Sequence, residues 1–150
     1  NRTQTIANGT TTNYTIATNS NRLTSSKQGT DETKYEYDSA GNIIKVSPPR
    51  VGATNYVYDN LNRLAKVEVD GLQNGKTLAS YQYNAFSQRI QKDVNGAKTI
   101  FIYNSAGQLL EEQNKQQNTI RDYVYVDGQL IAAIENGIIS YITTDHLNAP

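Results

Sequence analysis

The 150-residue sequence contains no cysteine, no methionine and no tryptophan. Without thiols there is no disulfide framework, thiolate metal site or cysteine nucleophile. Charge of either sign is missing as an excess, because 14 Lys and Arg balance 14 Asp and Glu. Nothing electrostatic therefore draws the chain to nucleic acid or anionic lipid, and both are set aside as partners. No apolar run approaches the ~18 residues of a membrane span, and no basic-then-apolar segment reads as a signal peptide. Insertion of this segment into a membrane and a resident export signal are thus not expected.

Among the aromatics, phenylalanine is scarce, with 2 residues against 11 tyrosines. With abundant Thr, Asn, Gln, Ile and Val, this composition predicts strands and turns, an all-β chain.

The tyrosines are ordered. Tyr35-Glu36-Tyr37-Asp38-Ser39-Ala40-Gly41-Asn42-Ile43-Ile44 recurs in degenerate form as Tyr56-Val57-Tyr58-Asp59-Asn60-Leu61-Asn62-Arg63-Leu64 and Tyr81-Gln82-Tyr83-Asn84-Ala85-Phe86-Ser87-Gln88-Arg89-Ile90. Two further copies are Phe101-Ile102-Tyr103-Asn104-Ser105-Ala106-Gly107-Gln108-Leu109 and the shortened Tyr123-Val124-Tyr125-Val126-Asp127-Gly128-Gln129-Leu130. The second aromatics (Tyr37, Tyr58, Tyr83, Tyr103, Tyr125) stand 21, 25, 20 and 22 residues apart, the self-similarity of a repeat array.

Tyr-x-Tyr puts two rings on one face of a strand, expected to be the buried face. Asp38, Asp59, Asn84 and Asn104 then head a tight turn, where the side chain accepts a backbone N–H two residues on. Gly41 and Gly107, with Asn62 in the second copy, supply the left-handed residue that closes a type I turn into a bulge. Ser87 fits that position poorly, so a looser turn is expected there.

Asn95-Gly96 and Asn136-Gly137 each separate two strand-like runs and predict hairpins of the opposite edge. Pro48-Pro49 ends the first return strand. Asp70-Gly71 and Asn74-Gly75 mark a longer loop that accounts for the widest spacing. The expectation is an antiparallel hairpin meander of roughly ten to twelve strands, curved because so wide a sheet must twist. Residues 1–30 read as a degenerate or frayed first repeat, 31–139 as the array, and 140–150 as a strand followed by a changed pattern.

At these residues a family resemblance becomes specific. The Tyr-x-Tyr-Asp-x-x-Gly-Asn/Arg-Leu unit resembles the YD repeat of bacterial Rhs proteins, insecticidal toxin-complex C components and the teneurin ectodomain. Thr144-Asp145-His146-Leu147-Asn148-Ala149-Pro150 resembles the Thr-Asp-His-Leu-Gly-x-Pro motif late in the Rhs core, carried here by Asp145, His146, Leu147 and Pro150, with Asn148 in place of glycine. The resemblance implies a sheet spiralling into a shell that encloses a C-terminal toxin for delivery to competitor or host cells. It also implies export, to the medium or the cell surface, as part of a larger protein. Partners would be the rest of the shell and the enclosed toxin domain. The alternative is an adhesion or carbohydrate-binding scaffold, since aromatic faces stack on sugars.

Catalysis finds little support in the residues. His146 is the single histidine and no nucleophile motif accompanies it. Glu111 and Glu112 are adjacent, so in a strand they point to opposite faces. No catalytic, metal or cofactor residue is assigned, and no enzyme activity is expected of this segment.

Overall fold

The computed structural model describes residues 2–71 and 76–143. The motif residues Asp145, His146, Leu147 and Pro150 lie outside the described residues, as does the Asn74-Gly75 turn.

The fold is all-β. Among the described residues, fourteen strands follow one another in sequence order in one sheet, and each pairing described is antiparallel. This exceeds the ten to twelve expected because residues 1–30 hold paired strands of their own. The chain divides into two compact units, Asn1–Leu78 and Ala79–Pro150, each treated by itself below.

In the first unit, β1 (Gln4–Ala7), β2 (Thr10–Ile16), β3 (Leu23–Gln28), β4 (Asp31–Tyr37), β5 (Ile43–Ser47), β6 (Thr54–Tyr58) and β7 (Leu64–Val69) form a meander. β5 stops directly before Pro48, whose missing N–H cannot extend the ladder. The second unit runs from β8 (Lys76–Tyr83) through β9 (Arg89–Val94), β10 (Ala97–Tyr103), β11 (Leu109–Asn114), β12 (Thr119–Val126) and β13 (Gln129–Glu135) to β14 (Ile138–Tyr141).

Two kinds of turn recur. Asn8-Gly9, Asn95-Gly96 and Asn136-Gly137 are two-residue turns with positive φ at both positions, joining the directly opposed pairs Ala7 and Thr10, Val94 and Ala97, and Glu135 and Ile138. This is the type I′ geometry, whose twist matches that of the strands it joins. The other edge carries the five-residue Tyr-Asp turns, each preceded by a register shift beside the second aromatic (Tyr37, Tyr58, Tyr83, Tyr103). The shortened fifth copy keeps its shift between Val124 and Tyr125 but closes through Asp127-Gly128 as a two-residue type I′ turn.

Little of the sheet is fully buried. Among the described residues no large side chain is wholly buried, and the buried set is Ala79, Phe101, Ala132 and the polar Ser25. Contrary to the expectation of a buried tyrosine face, Tyr35, Tyr37, Tyr56, Tyr58, Tyr81, Tyr83, Tyr103, Tyr123 and Tyr125 are half-buried. Residues between the rings, Glu36, Val57, Gln82 and Ile102, are exposed on the opposite face. Glu111 pairs with Ile102 and Glu112 with Phe101, so the two carboxylates do face opposite ways.

Candidate functional site

The densest cluster of specific interactions is the row of Tyr-Asp turns. In the second copy the Asp59 carboxylate accepts the N–H of Leu61 at 2.9 Å and of Arg63 at 3.0 Å through one oxygen, and binds Arg63 Nε at 2.8 Å through the other. Backbone bonds close the loop, Asn62 N–H to Asp59 O at 2.9 Å and Asp59 N–H to Arg63 O at 2.9 Å. In the first copy Asp38 holds the Asn42 N–H and the Asn42 amide, both at 2.8 Å. Asn104 repeats the pattern with Ala106 N–H at 3.0 Å and Gln108 N–H at 2.9 Å, its amide donating to Gln108 Oε1 at 2.8 Å. A carboxylate and an amide thus serve equally, because the turn asks for a hydrogen-bond acceptor and not for a charge.

Gly41 and Gly107 take φ of 98° and 85°, and Asn62 takes 67°. The expected loosening at Ser87 does not occur. Ser87 adopts φ of 63°, and its N–H bonds Asn84 O at 3.1 Å as in the other copies. The Asn84 side chain holds the N–H groups of Phe86 and Gln88 at 3.0 Å each, which fixes the turn despite the strain a β-carbon meets in the left-handed region. Gly128 of the shortened fifth copy sits in the type I′ turn at φ of 82°.

Two groups of contacts join one repeat to the next, and the sequence reading missed both. The first uses the phenol oxygen of the second tyrosine. Tyr37 donates to Leu23 O at 2.8 Å, Tyr58 to Ile43 O at 3.1 Å, and Tyr103 to Arg89 O at 3.1 Å. Each acceptor is the first residue of the preceding return strand, whose carbonyl the bulge leaves available. Burial pushes the Tyr58 and Tyr125 phenols up from their ordinary values; at Tyr58 the Asp38 charge adds to it. The hydroxyl of Tyr58 therefore stays protonated as a donor. The excess of tyrosine over phenylalanine was the available signal. Removing one hydroxyl, as in Tyr58→Phe, is expected to cost about 1 kcal/mol because Ile43 O loses its donor. A shifted denaturant midpoint with an unchanged slope is the measurement that checks it.

The second group reaches between neighbouring turns. The Asn42 amide donates to Asn62 Oδ1, and Gln108 Nε2 donates to Gly128 O at 3.2 Å. Arg22 Nη1 likewise donates to Asp38 O at 3.1 Å, its guanidinium 5.5 Å from the Tyr37 ring centre. Arg22 closes a turn of the same kind in residues 1–30, where Ala17 N–H bonds Arg22 O at 2.9 Å. That turn is one residue longer than the others and is headed by alanine, which is why residues 1–30 read as a degenerate repeat.

The turn carboxylates carry a pH signature. The Asn42 side chain, helped by backbone N–H groups, holds Asp38 below its ordinary value of 3.8, and Arg63 does the same for Asp59. A carboxylate depressed in the folded state binds its proton more readily once unfolded. Its contribution is therefore full above the ordinary value and is lost as pH falls towards the folded one. The Asp38→Asn and Asp59→Asn double variant is expected to keep the turns, as Asn84 and Asn104 do, while flattening the acid limb of a stability–pH curve.

One polar cleft of about 130 Å³ lies on the tyrosine face of the second unit, lined by Thr99, Glu112, Asn114, Thr119, Arg121 and Glu135. Its charges are already engaged. Arg121 is held by Glu135, which raises its pKa further, and Glu112 accepts the Tyr123 hydroxyl at 3.1 Å. Among the described residues no cluster of His, Asp or Glu is placed to hold a metal ion, and no helix is long and apolar enough to cross a membrane.

Comparison with known proteins places this geometry. No family model matches the sequence. A curated relative, the tRNA3(Ser)-specific nuclease WapA of Bacillus spizizenii, is 30% identical over 116 residues, covering 75% of this chain but 5% of that protein. A crystal structure of TcdB2-TccC3-TEV superposes with a TM-score of 0.72 at 16% identity, over 91% of this chain and 9% of the solved one. A Photorhabdus luminescens Tc holotoxin pore gives 0.59 at 13% identity, over 85% and 7%. The chain thus spans a small fraction of each. With its Tyr-Asp turns, their bulges and its antiparallel strand order, the chain has the fold of these toxin-complex structures and is similar to YD-repeat sheets of the Rhs type.

Proposed function

We propose that this chain is wall material of a YD-repeat shell that encloses a toxin domain for delivery to competitor or host cells. The observation that carries the reading is the brace between repeats. Tyr37, Tyr58 and Tyr103 each spend their hydroxyl on the preceding repeat, so an array of this kind is built by adding neighbours and not by closing on itself. Likeness to a toxin-complex component in fold and to a nuclease toxin in sequence supports the toxin connection. In this reading the segment contributes wall and no chemistry, and the protein that carries it is exported. Its partners are the remaining shell and the enclosed domain.

The test is limited proteolysis of the full-length gene product. The enclosed domain is expected to survive while the sheet is intact and to be digested once denaturant opens it. Digestion of that domain from an intact sheet would overturn the reading in favour of an adhesion or carbohydrate-binding scaffold.

A further inference from the structure

The three described Asn-Gly hairpins are alike in backbone and unlike in what their glycine N–H meets. Asn8, Asn95 and Asn136 have φ of 48°, 52° and 52°, with glycines at 74°, 86° and 78°, and all six residues are exposed. At Asn95 the Gly96 N–H donates to Asp93 Oδ1 at 2.9 Å. The residue at the position of Asp93 is Ile6 in the first hairpin and Ile134 in the third, and neither offers an acceptor. Among the described residues, Gly9 and Gly137 have no side-chain acceptor at all.

We infer that Asn136 and Asn8 are sites of spontaneous deamidation and isoaspartate formation, and that Asp93 shields Asn95 from the same modification. In this reaction the glycine amide nitrogen gives up its proton and attacks the asparagine Cγ. The side-chain nitrogen leaves as ammonia, and a five-membered succinimide forms. Water then opens the ring at either carbonyl, giving aspartate or isoaspartate, so that the net change is addition of water and loss of ammonia. Glycine favours the step because no side chain blocks the approach. A carboxylate bonded to the glycine N–H opposes it twice, by stabilising the protonated amide and by repelling the negative charge that forms on the nitrogen.

Ring closure also turns the asparagine ψ out of the type I′ range, so the reaction proceeds from a locally opened hairpin. The Asp93 bond spans the Asn95 turn and opposes that opening as well. The hairpin at Asn136 has no such clasp, and all four residues of β14 are exposed. The consequence is structural: isoaspartate routes the backbone through an extra carbon, which a two-residue turn cannot absorb. The Glu135 to Ile138 pairing would be lost, and β14 would separate from β13 as the protein ages.

The experiment incubates the full-length gene product in mildly alkaline buffer and follows the three peptides by mass spectrometry, with electron-transfer fragmentation to tell isoaspartate from aspartate. Asn136 and Asn8 should convert first and Asn95 last, whereas in concentrated urea the three rates should converge. Asp93→Ala should raise the Asn95 rate about tenfold, the scale of one lost charge-assisted hydrogen bond. Asp93→Asn, which keeps a neutral acceptor, should fall between. Circular dichroism confirms that each variant is folded. Native Asn95 converting as fast as Asn136 would overturn the inference, and so would an unchanged Asn95 rate in folded Asp93→Ala. Should Asp93→Ala fail to fold, the order of the three native sites and the Asp93→Asn rate decide the matter. None of these readouts depends on what the sheet encloses.

Discussion

Gly52→Ala is expected to lower stability by about 3 kcal/mol, at the upper end of ordinary overpacking. A β-carbon built at Gly52 would stand 1.8 Å from the carbonyl oxygen of Asp70, and that oxygen is backbone that no rotamer change can move aside. The position is pinned from both sides, since the Asp70 N–H donates to Ala53 O at 2.8 Å. Relief requires the 48–53 connection to move away from the end of β7, which breaks this bond. Equilibrium urea unfolding is the measurement, with Gly71→Ala as a control for left-handed strain, because Gly71 has φ of 92° but more room around it. A Gly52→Ala midpoint equal to that of the native chain would show that the close approach is not maintained in solution.

Phe101→Ala is the second large effect, also about 3 kcal/mol. Phe101 is the single repeat aromatic that is buried, with 8% of its surface exposed. The Arg89 guanidinium lies 5.0 Å from its ring centre and 5.7 Å from that of Tyr81, so it is shared between the two rings. Truncation removes the largest buried apolar side chain of the second unit and one side of that cation–π contact. Tyr35→Ala, at a half-buried position of the same motif, should cost clearly less. Equal costs at the two positions would mean that the repeats share burial evenly and that Phe101 has no special place.

The repeats themselves were legible because what defines them is local. Asp38 to Gly41 and Asn104 to Gly107 specify a turn by side-chain acceptors and positive φ within five residues, and Asn95-Gly96 and Asn136-Gly137 specify the opposite edge by positive φ at two successive residues. What could not be read depends on groups distant in sequence. The Tyr58 hydroxyl needs Ile43 O, Gly52 needs Asp70 O, and neither relation leaves a mark on the motif. Ser87 misled for the converse reason. Its own propensity is unfavourable for the left-handed region, but the bonds made by Asn84 outweigh it. In residues 1–30 the inserted turn residue displaced the pattern, although the pairing of Ile16 with Leu23 beyond the bulge matches that of Tyr37 with Ile43.

The hydroxyl bonds of Tyr37, Tyr58 and Tyr103 share a direction: the acceptor carbonyl always precedes its donor in the chain. A ribosome or a translocation channel releases the acceptor first, so each of these three tyrosines emerges to find its rung already in place. The sheet can therefore be laid down vectorially, one repeat upon the last, without waiting for the remainder of the polypeptide. Run in reverse, the same order predicts that pulling on the C-terminal side strips the repeats singly, whereas pulling on the N-terminal side first removes the acceptors on which later repeats rest.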